Sequence, residues 1–118
     1  MTKALDEVLE EYRDKTPIPI PKQIRVLSQN IDVKLGDLSS ADTVAAWDGV
    51  EGQIVIHKHL GKFVAVNALI HELIHALEFL LGLELTEQDI DSLATGIISI
   101  IVDNPELVEL VQSTVQSK

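Results

Sequence analysis

Between Gly61 and Gly82 the chain runs through a mainly apolar stretch without proline or glycine, and His71, Glu72 and His75 stand in the middle of it. Phe63 to Leu81 reads as one long helix, closed by Gly82 where a left-handed residue commonly ends a helix. A fold for this chain must bury Leu69, Ile70, Leu73, Ile74 and Leu77 while keeping three polar side chains among them. Histidine and glutamate inside an apolar helix are costly unless they have a job. The stretch therefore asks for a core helix with chemistry on one face.

The rest of the chain supplies what that helix packs on. Residues 3–14 put Leu5, Val8, Leu9 and Tyr12 on one helical stripe, and Pro17, Pro19 and Pro21 then stiffen a connector. Ile24 and Val26, then Ile31, Val33 and Leu35, alternate as in half-buried strands, and Gly36 to Asp42 is turn-like. Thr43–Trp47 and Gln53–His57 are β-rich runs around the loop Asp48–Gly52, which predicts a hairpin. Thr86 with Asp89 three residues on forms a near-miss capping box, opening a helix from Glu87 to about Val102. Its Ile90, Leu93, Ala94, Ile97, Ile98 and Ile101 imply burial on more than one side, with Ile97–Val102 as core. Asp103-Asn104-Pro105 starts a last helix, whose apolar Leu107, Val108, Leu110, Val111 and Val115 form a far wall of the core or a partner surface. One domain over 1–118, of α+β class, is the expectation.

Charge and composition exclude several classes. With 9 basic against 19 acidic residues, the formal charge of -10 leaves no broad cationic surface for nucleic acid or an anionic membrane. The chain has no cysteine, so thiolate metal sites, disulfides and cysteine nucleophiles are out. Its N-terminal residues are charged and amphipathic, unlike a signal peptide, and the uncharged run Ser92–Val102 is too short to span a bilayer. A soluble, cytoplasmic protein is the expectation.

His71-Glu72-Leu73-Ile74-His75 carries the chemistry. Positions i and i+4 of a helix share a face, so both imidazoles reach one ion, and Glu72 beside them can take a proton from a water there. This is the helical zinc motif, with Zn2+ as the expected cofactor. Zinc needs a third protein ligand, and no histidine follows His75, which leaves a carboxylate: Glu87 or Asp91, one turn apart on the next helix. The first helix runs six residues beyond His75, about 9 Å. An antiparallel partner would return to the level of His75 nearer Asp91, whereas an extended Leu83–Leu85 link and the longer side chain favour Glu87.

The motif, preceded by a hairpin and followed by an acidic helix, resembles the small zincin metallopeptidases of phages and mobile elements, among them the ImmA/IrrE-like family and, more distantly, SprT-like proteins. The likeness covers roughly residues 43 to 105, including Glu87-Gln88-Asp89-Ile90-Asp91-Ser92-Leu93-Ala94, which is similar in outline to the acidic stretch of that family. Glu-x-x-x-Asp also resembles the gluzincin pair, in which the glutamate binds the metal and the aspartate orients a histidine. The resemblance implies a minimal zincin fold, with a small mixed sheet packed on the active-site helix, supporting helices and an edge strand that holds an extended peptide. In a phage-encoded protein it would act on a protein in the host cytoplasm.

Two further groups are candidates. Gln53, Ile54, Val55 and Ile56 are read as a substrate-binding edge strand, and His57 and His59 share one strand face, with His59 a possible oxyanion stabiliser. Together these give a zinc metallopeptidase: His71, His75 and Glu87 (or Asp91) as ligands, Glu72 as general base and a protein or peptide as substrate. The competing reading is an inactive zincin-fold binding or regulatory protein that keeps the metal site.

Overall fold

The computed structural model describes residues 19–36, 44–58 and 60–116. The helix expected over residues 3–14, most of the Gly36–Asp42 turn, Thr43 and His59 lie outside the described residues. Met1–Glu84 and Leu85–Lys118 are two compact units, taken in turn below.

In the first unit, alternating side chains build a four-stranded sheet. Strand β1 (Gln23–Val26) pairs antiparallel with β2 (Gln29–Gly36) through a two-residue turn. Both turn residues, Leu27 (φ 47°) and Ser28 (φ 69°), are left-handed, as a type I′ hairpin turn demands. Strands β3 (Ala45–Asp48) and β4 (Gln53–His57) form the expected hairpin. Asp48 Oδ1 accepts from the N–H groups of Val50 and Glu51, and Gly52 supplies the positive φ the turn requires.

The strand order is β1-β2-β4-β3, with β2 and β4 parallel. The hairpin thus lays β3 on the outside and returns β4 into the slot beside β2. Ile31, Val33, Ile54 and Ile56 face one side and are buried, three of them almost completely. Full burial of each isoleucine favours folding by roughly 1.5–3 kcal/mol. Leu35 departs from the expected alternation and stays half in solvent.

Helix α1 (Lys62–Leu81) covers that face against β3 and β4, one residue longer at its start than the sequence implies. Ala65, Leu69 and Ala76 complete the core with the isoleucines. Gly82 (φ 68°) ends the helix, and the N–H groups of Gly82 and Leu83 both donate to the Glu78 carbonyl. By length and composition, α1 alone among the described residues is apolar enough to cross a membrane. One stripe of it is buried against the sheet, and mid-helix it carries ionisable side chains at positions 71, 72, 75 and 78.

The second unit is a helix pair, α2 (Glu87–Asp103) and α3 (Pro105–Gln116). The capping box forms as expected: Thr86 Oγ1 accepts from the Asp89 N–H at 3.0 Å, and the Asp89 carboxylate accepts from the Thr86 N–H at 3.2 Å. Burial on several sides of α2 does not hold. Only Ile90 and Ala94 are buried, while Leu93, Ile97, Ile100, Ile101 and Val102 are exposed, so Ile97–Val102 is not core. An apolar run shows what a helix can bury, and along α2 the stretch from Ile97 to Val102 keeps most of its large side chains in water.

Candidate metal centre

Two neighbouring stripes of α1 make the site. Positions 65, 69, 72 and 76 follow helical spacing, so Glu72 falls on the stripe whose Ala65, Leu69 and Ala76 join the core. Glu72 is 7% exposed and is the one buried charged side chain among the described residues. Positions 71, 75 and 78 form the adjoining stripe, with His71, His75 and Glu78 all half-buried.

The candidate ligand atoms of His71, Glu72 and His75 lie within 4.8 Å of one another. Two bonds of about 2.1 Å at the tetrahedral angle put donor atoms about 3.4 Å apart. The three residues are thus a nitrogen and oxygen group that could hold a metal ion. The two imidazoles meet edge to face, with centroids 5.0 Å apart and planes at 63°, so the rings do not stack.

His75 has a partner that sequence reasoning missed. Its Nδ1 lies 2.9 Å from Glu78 Oε1, with the side chains only 25% and 17% exposed. The available signal was spacing, a carboxylate three residues after a candidate ligand. It resembles any helix-surface glutamate in sequence alone.

The other candidates are placed as follows. Glu87 and Asp91 sit one turn apart at the start of α2, both exposed, in the second unit. His57 ends β4, half-buried, with its N–H donating to the Val44 carbonyl at 2.9 Å. His59, the candidate oxyanion stabiliser, lies outside the described residues.

Gln53–Ile56 is not an edge. Strand β4 is paired on both sides, to β2 and to β3, and Ile54 and Ile56 are wholly buried, so no peptide can add there by strand pairing. The parallel β2–β4 ladder overturns that expectation. Among the described residues, β3 is the open edge beside α1. Alternate pairing turns the N–H groups of Val44, Ala46 and Asp48 toward β4 and those of Ala45 and Trp47 outward. No protein-family model, curated protein or solved structure matches the chain.

Proposed function

We propose that the protein is a zinc-dependent metallopeptidase of the small zincin type. The observation that carries the reading is the grouping of His71, Glu72 and His75, whose candidate ligand atoms lie within 4.8 Å of one another on one helix. His71 and His75 would hold the ion, with Glu87 as third ligand and Asp91 as the alternative ligand or the orienting carboxylate. Zinc, when bound, would supply Lewis acidity that acidifies water and polarises the scissile carbonyl. Glu72 takes the proton of the attacking water and delivers it to the leaving amine. A purely structural metal site has no use for a buried glutamate at that position, which favours an enzyme over an inactive binder.

The substrate in this reading is an extended peptide lying along β3, recognised through the outward main-chain groups of Ala45 and Trp47. The test is a comparison of new protein termini released from a proteome lysate by zinc-loaded wild type and by Glu72→Gln. Termini produced by the wild type alone support the peptidase. An identical set from both proteins removes it and leaves a metal-retaining binding protein.

A further inference from the structure

We infer that Glu78 is a positioning residue for the metal centre, holding His75 in the one tautomer and ring orientation that can bind an ion. The inference rests on the metal-centre reading above and extends it to a residue outside the motif. A carboxylate can only accept, so at 2.9 Å the proton between the two groups belongs to His75 Nδ1. In the neutral imidazole, the form that binds metal, this leaves the lone pair on Nε2. The same hydrogen bond fixes rotation of the ring and raises the basicity of Nε2.

The main chain gives Glu78 a firm base. Its carbonyl accepts from both Gly82 and Leu83, so the residue whose side chain holds His75 is also the one on which the last turn of α1 closes. Low exposure of the Glu78 side chain limits competition from water for His75. An ordinary surface pair on a helix has neither feature.

The experiment uses the full chain with Glu78→Ala and Glu78→Gln, both checked for native circular dichroism. Two readouts are taken. In metal-free protein, above the imidazole titration range, nitrogen-15 NMR of His75 should show the Nδ1–H tautomer in wild type and a shift toward Nε2–H in Glu78→Ala. Zinc titration against a competing chelator should show about 10–100-fold weaker binding in Glu78→Ala. Glu78→Gln keeps an acceptor oxygen and should lie between the two. Zinc binding by wild type together with an unchanged tautomer and affinity in Glu78→Ala overturns the inference alone. A loss in Glu78→Gln as severe as in His75→Ala also overturns it, because Glu78 would then be a ligand. Failure of wild type to bind zinc at all removes the metal-centre reading, and this inference with it.

Discussion

Trp47 and Phe79 meet edge to face, ring centroids 6.2 Å apart and planes at 64°, and so fasten β3 to the last turns of α1. Gly49 lies under the same ring, where an added Cβ would stand 3.3 Å from Phe79. The contact sets the open sheet edge alongside the turns that carry His75 and Glu78. A partly exposed aromatic pair of this kind contributes about 0.5–1.5 kcal/mol beyond its buried area. Phe79 is 63% exposed, so Phe79→Ala should destabilise the protein by about 1 kcal/mol, mainly the loss of the ring pair. Trp47 is the sole tryptophan, so its fluorescence in a urea titration reports the loss directly. An unchanged midpoint would show that the pair does not hold the edge.

The β1–β2 turn carries removable strain. Leu27 and Ser28 both have positive φ, a conformation that costs an L residue about 1–2 kcal/mol and that asparagine and glycine tolerate best. The double substitution Leu27→Asn, Ser28→Gly should raise stability by about 1 kcal/mol. Leu27 is 56% exposed, so little packing is given up. A lower melting temperature in the double variant would mean that Leu27 matters more for its contacts than for its backbone.

How much of this was legible in the sequence depends on how local each rule is. Gly82, the Thr86–Asp89 box and Asn104-Pro105 each act within a few residues, and the helix ends fall at or within a residue of where they point. The five residues from His71 to His75 likewise place their own side chains together, because one helix fixes their geometry. Strand partners are another matter. Nothing in Gln53–His57 says that it slots between β2 and β3, because that pairing joins segments about twenty residues apart. Apolarity misled at Ile97–Val102, since a hydrophobic run shows what a helix can bury and not how many neighbours it has. Leu27-Ser28 was unreadable for the opposite reason, a tight turn made without the asparagine or glycine that announces one.

Zinc uptake tests the ligands. Wild type should bind about one zinc per chain, and a zinc concentration 100 times the dissociation constant should add about 2.7 kcal/mol of stability. His71→Ala and His75→Ala should each abolish both effects. Glu87→Ala and Asp91→Ala should both weaken binding, the true ligand more severely and an orienting carboxylate by about 10–100-fold. Elemental analysis and calorimetry decide. A wild-type protein that takes up no zinc on titration defeats the proposal. Full affinity in both carboxylate variants would move the third ligand elsewhere.

The open edge of β3 can be tested apart from the metal. Ala45→Pro deletes an outward N–H and leaves the bonds that Val44, Ala46 and Asp48 make toward β4. Loss of one main-chain hydrogen bond to an extended substrate, about 0.5–1.5 kcal/mol, corresponds to a fall of roughly 2- to 12-fold in kcat/KM. Zinc affinity should not change. Peptide cleavage at the wild-type rate by a folded Ala45→Pro variant would show that substrate does not pair with this strand.

Glu72 is where enzyme and binding protein part. It follows His71 directly, so it is rotated about 100° around the helix from that ligand, and it is 7% exposed on the core-facing stripe. A carboxylate so placed can accept a proton from an attacking water without being needed to hold the ion. Glu72→Gln preserves the shape and removes the base. The variant should fold, keep wild-type zinc affinity, and lose about 100- to 10,000-fold in peptide hydrolysis, the usual contribution of a positioned general base. His71→Ala should lose both zinc and activity, which separates the ligand from the base. Glu72→Gln with zinc lost as completely as in His71→Ala would make Glu72 a ligand instead. Glu72→Gln with hydrolysis intact would leave the buried carboxylate without a catalytic role and the proposed mechanism without its base.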